Sequence, residues 1–415
     1  MRGRVLRVAV PMSLLAVAAL AQTAPPATST PTPTPAPAGA AGAPAGRAVA
    51  HSAEPPLAVS EPLPLGSIEA VAASPVTTGE EGSTRGEFVL APIPISDPTV
   101  GSGLGLTAAY TFAKKDPDDP SPPPLVGAGG FYTSNGSWGG AAVAKLSLKQ
   151  DRYRLAGAGF IGSINYDLFP AGADREGIAI TQEIEFFAGE FMVGLGKRWY
   201  AGAVATWADT KVRREDADDN VEGLPIPRDR LDSTLVGLGL TVERDSRDSM
   251  FYPTTGSRLQ FVANHNDTSF GGDFTYTKTW LIYSKYLTLS DPVVLAIQGG
   301  GCHASEGGPF YSLCLFGTRN LLRGYTVGQY LDRWMVAAQA EGRWRFANRW
   351  IATGFAGVGV VEPALPRWAE TDSLPAAGVG LHWIAAPENL ITVRAEYAIG
   401  EGGQHGFYVA IGQAF

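Results

Sequence analysis

Apolar and polar residues alternate in short segments along this chain from about residue 85 onward. A period of two places successive side chains on opposite faces of an extended strand, so these segments predict β-strands. In the segment 332–346, Trp334, Ala338 and Trp344 share one face. The opposite face carries Glu341 and Arg343. The pattern therefore predicts strands with one apolar and one polar face.

Sixteen such segments can be counted, and an even number is expected of a bacterial membrane barrel. Links after even-numbered strands are mostly short, as at 150–151, whereas those after odd-numbered strands are often long and polar, as at 302–331. Short turns on one side and long loops on the other are typical of such barrels. The links 114–123 and 135–137 break this alternation, so a miscounted hairpin is an open alternative. The prediction is an all-β, transmembrane antiparallel β-barrel of about 16 strands over residues 85–415.

The final segment shows the alternation most clearly. Its apolar face is formed by Phe407, Val409, Ile411 and Phe415. A membrane barrel must pair its last strand with its first, because lipid cannot satisfy backbone polar groups. The final strand of a soluble sheet is the alternative. However, sixteen strands without amphipathic helices leave too much apolar surface unless the sheet closes in lipid.

The N-terminal segment predicts export from the cytoplasm. Arg2, Arg4 and Arg7 precede an apolar run from residue 8 to residue 20. A small-x-small site at its end completes a signal peptide, residues 1–21. Residues 22–84 are rich in Pro, Ala and Thr and predict a disordered linker. No helix–strand alternation precedes residue 85, so we expect no folded periplasmic domain before the barrel.

Composition narrows the function classes. The net charge of −8 argues against nucleic acid as a partner. No hydrolase elbow, zinc-protease motif or nucleotide loop in a strand–helix context is present, so we expect no enzymatic activity, no metal site and no cofactor. In an oxidising compartment, Cys302 and Cys314 are expected to form a disulfide. A reduced pair or a cross-link to another chain is the alternative.

The long loop between strands eleven and twelve contains Arg323, Gly324 and Tyr325. In this position the triplet resembles the bacterial surface-antigen superfamily, the BamA-TamA outer-membrane assembly barrels. Members of that family carry an Arg-Gly-aromatic tip in the sixth outer loop, which folds back into the lumen. The resemblance implies the same place for this triplet.

Two further segments resemble the same family. The stretch 243–258 is similar to the periplasmic turn between strands eight and nine, with matching positions at Asp245, Arg247, Asp248, Pro253 and Gly256. The last five residues are similar to the C-terminal signal that directs assembly. The resemblance implies that the barrel assembly machinery inserts this chain, reading Phe407, Val409, Ile411 and Phe415.

An arginine inside a barrel needs a carboxylate partner, because an unpaired buried charge is costly. We predict that Arg323 pairs with Glu341 on strand twelve and anchors the loop in the lumen. The alternative is a solvated Arg323, with Glu341 paired to Arg343 or Arg345. Relatives often carry a second acid on strand thirteen, where this chain has Gly357. One anchor is therefore expected to be missing, and the disulfide is expected to compensate.

The first strand contains Pro92 and Pro94, which cannot donate ladder hydrogen bonds. Beside strand sixteen, this strand predicts a weakly bonded seam. The resemblance implies a seam that opens sideways to admit strands or lipid. Alternatively, Pro94 simply ends the strand near the outer rim.

The resemblance implies a bacterial outer-membrane barrel without POTRA domains that assists insertion, assembly or translocation at that membrane. Its expected partners are outer-membrane lipid and an unfolded outer-membrane protein or lipid substrate. A passive pore or structural barrel is the first alternative. An outer-membrane enzyme such as a lipase is the second.

Overall fold

The computed structural model describes residues 87–97, 100–113, 121, 123–168, 178–214, 232–249, 252–316, 321–325, 330–366, 372–386 and 390–415. The predicted signal peptide, residues 1–21, and the predicted linker, residues 22–84, lie outside these ranges. None of the helices in the described ranges has the length and apolar character needed to cross a membrane.

Sixteen strands form one closed antiparallel barrel, in which each strand pairs with the next along the chain and the last pairs with the first. The strands are β1 (Glu87–Asp97), β2 (Gly101–Thr111), β3 (Leu125–Thr133), β4 (Trp138–Leu148), β5 (Tyr153–Leu168), β6 (Ile178–Gly196), β7 (Trp199–Arg214), β8 (Asp232–Asp245), β9 (Gly256–Asn266), β10 (Tyr276–Ser290), β11 (Val293–Ala304), β12 (Trp334–Ala347), β13 (Trp350–Glu362), β14 (Leu374–Ala386), β15 (Ile391–Gly400) and β16 (His405–Ile411). The predicted fold class and strand count are confirmed. No hairpin was miscounted, because β2 pairs directly with β3 and β3 with β4.

Strands β11 and β12 pair directly with each other, so the segment between them, residues 305–333, is not part of the wall. We call this segment the long loop. Its described residues include one 3₁₀ turn, Phe310–Ser312, and two short strands, Cys314–Leu315 and Leu331–Asp332, that pair with each other. Two more 3₁₀ turns, Thr268–Phe270 and Glu401–Gly403, lie in other links.

The wall is apolar outside and polar inside, as the alternation predicts. On β12, Gln339, Glu341 and Arg343 are buried in the lumen, whereas Trp344 is 55% exposed on the outer surface. Similar exposed apolar side chains, such as Leu240, occur on other strands. Because hydrocarbon rather than water suits this surface, the arrangement is that of a membrane barrel.

Exposed tryptophans lie near the ends of several strands, including Trp199, Trp350 and Trp383, as expected for an aromatic girdle. Tyr200 and Tyr252 also lie near strand ends, but they are packing residues and not part of this girdle. Both are buried, and the hydroxyl of Tyr200 donates to Asp151 at 2.6 Å. Tyr200 follows Trp199 directly, so the pleat turns it to the opposite face.

Candidate functional site in the barrel lumen

The first part of the long loop packs against the inner wall. Strands β5, β6 and β7 are 16, 19 and 16 residues long, more than the roughly 9–11 that a bilayer requires. The inner faces of β5 and β6 carry apolar side chains such as Tyr166 and Ile180. These pack with Phe310, Tyr311 and Leu315 of the loop in one buried cluster. This described part of the loop therefore fills lumen volume and is not a solvated surface segment.

A disulfide joins the wall to the loop. Cys302 lies on β11 and Cys314 in the loop, with a Cα–Cα distance of 5.7 Å. Both side chains are buried in a second cluster with Leu321, Leu322 and Tyr325. The predicted disulfide is formed, and it attaches the loop covalently to the wall.

Arg323 lies at the centre of the site. Its guanidinium donates to Glu341 of β12 at 2.6 Å and to Glu396 of β15 at 2.7 Å. All three side chains are fully buried. The ring centroid of Phe355 lies 3.5 Å from the Arg323 Cζ atom, which adds a cation–π contact. The guanidinium is thus held between two strands of the wall, β12 and β15.

The expectation that one anchor is missing is wrong. Position 357 carries no acid, but Glu396 supplies the second carboxylate from β15, two strands further along. Gly357 has a different role, because a Cβ atom there would lie 2.5 Å from Leu322 Cδ1. A side chain at this position would therefore displace the loop residue that precedes Arg323.

Each carboxylate is shared between two arginines. Glu341 also accepts from Arg343 at 2.7 Å, and Glu396 from Arg394 at 2.7 Å. The two outer arginines lie on the same strands as the acids. The alternative pairing of Glu341 with Arg343 thus coexists with the pairing to Arg323. The result is a buried row of alternating charges in which every carboxylate is compensated.

Two side chains next to this row were not singled out from the sequence as site residues. The Nε2 atom of His382 lies 3.1 Å from Glu396. The hydroxyl of Tyr408, on β16, accepts a hydrogen bond from the backbone N–H of Gly324 at 3.0 Å. Glu396 and Tyr408 are separated from their loop partners by 73 and 84 residues. The sequence signal that could have identified Glu396 and Tyr408 is their position on the inward face of β15 and β16.

Gly324 and Tyr325 bring the loop to the last strands of the barrel. Gly324 has a φ of +116°, and a Cβ atom there would lie 3.0 Å from the Ile399 carbonyl oxygen. Glycine is therefore required by both conformation and space. The hydroxyl of Tyr325 donates to the Pro375 carbonyl oxygen at 2.5 Å and accepts from the Glu401 N–H at 3.1 Å.

The predicted periplasmic turn is a compact hydrogen-bonded unit. Arg247 pairs with Asp245 at 2.7 Å. Asp248 accepts from Thr254 at 2.5 Å and from the backbone N–H of Thr255 at 3.1 Å. Partial burial raises the pKa of Asp248, but these hydrogen bonds outweigh it and leave that pKa below its ordinary value. The motif therefore has a structural role in the turn.

Pro253 and Gly256 complete this turn. Gly256 has a φ of +93°, and a Cβ atom there would lie 2.2 Å from the Ser246 carbonyl oxygen. The carbonyl oxygen of Pro253 accepts from Arg343 at 3.5 Å. Since Arg343 also binds Glu341, the turn is connected to the charge row in the lumen.

The C-terminal residues do not all share one face. Phe407 lies on the outer face of β16, but the strand ends at Ile411. Gly412 then takes a φ of +81°, and the carbonyl oxygen of Phe415 accepts from Arg343 at 2.9 Å. Phe415 thus contacts a lumen residue, and the prediction that it shares the face of Phe407 is wrong. The positive φ at a glycine breaks the alternation.

Within the described residues, the seam between β1 and β16 is sparsely paired. A single described register pair joins them, Ser96 opposite Val409. In contrast, β15 and β16 share seven pairs, from Val393↔Ile411 to Ile399↔His405. Because β1 continues beyond Pro94 to Asp97, the alternative that Pro94 ends the strand is wrong.

The described residues contain no group of three or more His, Cys, Asp or Glu side chains that could hold a metal ion. The charged groups of the site instead pair with one another. The arrangement is suited to holding the loop between β12, β14, β15 and β16.

A sequence model of the Omp85 superfamily domain matches residues 144–415. Among solved structures, BamA from Haemophilus ducreyi lacking POTRA domains 1–3 is similar, with a TM-score of 0.55, 17% identity and coverage of 79% of this chain and 70% of that one. CdiB from Acinetobacter baumannii has a TM-score of 0.52 and 11% identity, with coverage of 79% of this chain and 60% of that one. CdiB from Escherichia coli has a TM-score of 0.56 and 10% identity, with coverage of 78% of this chain and 62% of that one.

This chain thus spans less than two thirds of the length of either CdiB structure. Because these sequence identities are low, the comparison shows that the folds are similar and nothing more. No curated protein matches the sequence.

Proposed function

Because the chain belongs to the Omp85 superfamily, we propose that it assists insertion, assembly or translocation of protein or lipid at the bacterial outer membrane. The family and the closed barrel place the chain in that membrane. Its immediate partner is outer-membrane lipid, and its proposed substrate is an unfolded outer-membrane protein or a lipid. No catalytic chemistry is part of this proposal.

The observation that carries the proposal is the seam. One described register pair between β1 and β16 has to close a barrel whose neighbouring strand pairs have seven or more. Opening a barrel elsewhere would break many backbone hydrogen bonds in lipid, where each unsatisfied group costs several kcal/mol. Among the described register pairs, opening at Ser96–Val409 breaks the fewest.

The loop anchor supports this proposal over a passive pore. The tip residues Arg323, Gly324 and Tyr325 contact β12, β14, β15 and β16, so they hold the wall beside the seam. The loop cluster with Phe310 and Tyr311 occupies the lumen that a pore would need. We propose that the loop keeps the lumen closed while the seam opens.

The C-terminal segment and the turn have proposed roles in biogenesis. We propose that the barrel assembly machinery inserts this chain and reads the apolar residues of its last strand, with Phe407 and Val409 facing away from Tyr408. We propose that the turn of Asp245, Arg247 and Asp248 stabilises the periplasmic rim.

A disulfide across the seam tests the proposal. In antiparallel pairs, Cα atoms of directly opposite residues lie about 4.5–5.5 Å apart, which suits a disulfide. Ser96→Cys combined with Val409→Cys should therefore lock the seam. We expect cells that depend on the locked barrel to show the same changes in outer-membrane protein and lipid as cells depleted of it.

Val126→Cys with Ala144→Cys is the matched control. These residues are also directly opposite, but on the strands β3 and β4, which share eight register pairs. This lock should leave function intact. Full function of the Ser96–Val409 lock would contradict the proposed opening of the seam.

A further inference from the structure

Two turns at the periplasmic end of the barrel carry exposed cations. The turn between β4 and β5 contains Lys149 and Arg152, and the turn between β6 and β7 contains Lys197 and Arg198. All four residues are exposed. Both turns link an even-numbered strand to an odd-numbered one, so they belong to the short turns of the periplasmic end.

The two turns are close to each other. The N–H of Gly194, near the end of β6, donates to the carbonyl oxygen of Arg152 at 2.7 Å. Because β5 and β6 pair directly, the centres of the two turns are separated by two strand spacings, about 10 Å. Long side chains from both turns can therefore reach one anionic group at the ends of β5 and β6.

The backbone conformation of both turns is unfavourable for the residues that occupy them. Six residues other than glycine have a positive φ in the described part of the chain, and five of them lie in these two turns. Lys197 and Arg198 have φ values of +52° and +64°, which favour Gly, Asn or Asp in a two-residue hairpin turn. Because both residues are exposed, packing does not explain their presence. The cations thus point to a role other than forming the turn.

The first cationic turn lies along the lipid-facing side of the wall. Lys149 Nζ and Arg152 Cζ lie 5.5 Å and 5.7 Å from the ring centroid of Tyr153. This ring stacks on Phe191, which is exposed on the outer surface, as is Leu195 on the same strand. Aromatic girdles of barrels lie at the membrane interface. The cations beside the girdle are therefore at the level of the lipid headgroups.

The second turn and β8 continue the same arrangement. Trp199 directly follows the second turn and is exposed on the outer surface. Arg244, at the end of β8, has its Cζ atom 5.8 Å from the Trp199 ring. The cations of this surface, which we call the basic rim, are Lys149, Arg152, Lys197, Arg198 and Arg244.

Two acids next to the basic rim pair with lumen residues instead. Asp151, in the first turn, accepts from Arg154 at 2.6 Å and from the Tyr200 hydroxyl at 2.6 Å. Glu243, on the inward face of β8, accepts from Arg258 at 3.1 Å. Neither carboxylate neutralises the exposed cations, so the basic rim attracts anions.

We propose that the basic rim binds the headgroup of an anionic phospholipid in the periplasmic leaflet, with the acyl chains against the outer wall at Tyr153 and Phe191. Strands β5 and β6 pair without interruption from Tyr153 to Leu168, so the chains cover a wall whose backbone groups are satisfied. A soluble acidic partner fits less well, because the cations adjoin a surface that hydrocarbon covers. The site lies on β4–β8, away from the seam, and does not depend on its opening.

Titration of the full chain in non-ionic detergent with short-chain phosphatidylglycerol tests the proposal. Native mass spectrometry counts the bound lipid, and phosphatidylcholine of the same chain length is the reference. We expect phosphatidylglycerol to bind more tightly. Lys197→Gln/Arg198→Gln should weaken its binding about thirtyfold, at roughly 1 kcal/mol per cation near an anionic surface. Binding of phosphatidylcholine should not change.

Lys211→Gln/Arg213→Gln is the matched control. It removes two exposed cations from the opposite end of β7, where each lies 3.9 Å from an acid. Binding of phosphatidylglycerol should be unchanged. Lys197→Arg/Arg198→Lys keeps both charges and should also bind normally.

A second variant, Lys149→Gln/Arg152→Gln, changes the other turn and should give a similar loss of binding. The test therefore does not depend on the folding of one variant. Heat-modifiable gel mobility shows whether each variant retains the folded barrel.

The position of the lipid is tested with phosphatidylglycerol that carries a photoreactive group in one acyl chain. We expect labelling at Tyr153, Phe191 or Trp199, mapped by mass spectrometry of peptides. Labelling elsewhere on the wall overturns the proposal, as does equal binding of the two lipids or an equal loss in the control variant. Tighter binding of soluble polyglutamate than of phosphatidylglycerol also overturns it, in favour of an acidic protein partner. None of these results affects the proposed opening of the seam.

Discussion

At the scale of one residue, Arg323 is fully buried because other groups replace its water. Two carboxylates accept from its terminal nitrogens, and the ring of Phe355 covers its plane. Removing one partner of such a pair leaves the other charge buried without compensation. Removing such a partner should therefore lower the free energy of unfolding much more than removing one partner of a surface ion pair.

Glu396→Gln tests this argument. We expect the free energy of unfolding to fall by about 3 kcal/mol, because Arg323 and Arg394 lose their shared carboxylate. Denaturant titration of the detergent-solubilised barrel, followed by tryptophan fluorescence, measures the change.

Glu183→Gln is the matched control for that substitution. Glu183 is an exposed residue whose carboxylate lies 3.9 Å from Arg213. The free energy of unfolding should change by no more than about 0.5 kcal/mol. Equal effects of the two substitutions would contradict a special role for the buried row.

Part of this residue-scale arrangement is readable from the sequence. The position of Arg323 in the long loop and of Glu341 on a polar face, together with the family resemblance, predicts their pairing. The role of Glu396 is not readable, because nothing local connects it to a residue 73 positions away. The closed wall brings β15 beside the loop, and only the three-dimensional structure shows it.

At the scale of elements, the long loop is held at two separate places. The disulfide between Cys302 and Cys314 fixes its beginning to β11. The charge row fixes its tip to β12 and β15. Between them, apolar side chains such as Phe316 and Leu322 are almost fully buried. The loop thus behaves as an inner layer of the barrel.

Cys302→Ser/Cys314→Ser tests the covalent attachment. We expect a loss of about 3 kcal/mol in the free energy of unfolding, because the unfolded chain regains the entropy of a loop with a sequence separation of 12. Unfolding by denaturant, with and without reductant, measures it. The parent protein with reductant should match the variant without it. An unchanged midpoint in the variant would show that the packed cluster alone fixes the loop.

At the scale of the whole molecule, sixteen strands enclose a space that would hold water if it were empty. In this chain the described residues of the long loop and the extended strands β5–β7 place an apolar cluster inside it. Among the described strand pairs of the barrel, β1 and β16 share the fewest register pairs, at Ser96–Val409.

Conductance across a planar bilayer tests whether the apolar cluster closes the lumen. We expect the full chain to give no steady open current. Replacing residues 305–333 by a short Gly-Ser link should give a large ohmic conductance, since an unfilled barrel of this size contains an aqueous channel. A scrambled order of residues 326–329, which leaves Arg323 and the disulfide unchanged, is the control. Equal currents from the full chain and the deletion variant would support a passive pore.

The sequence by itself determines the two-faced strands, their number and the polar lumen, because side-chain alternation is a local property of extended backbone. It also indicates the loop motif and the disulfide, whose residue types are distinctive. Tertiary structure alone decided that Glu396 and Tyr408 meet the loop, that Phe415 turns toward Arg343, and that one described register pair joins β1 to β16. These features depend on how the sheet closes and in which register, and register is set by contacts between distant segments.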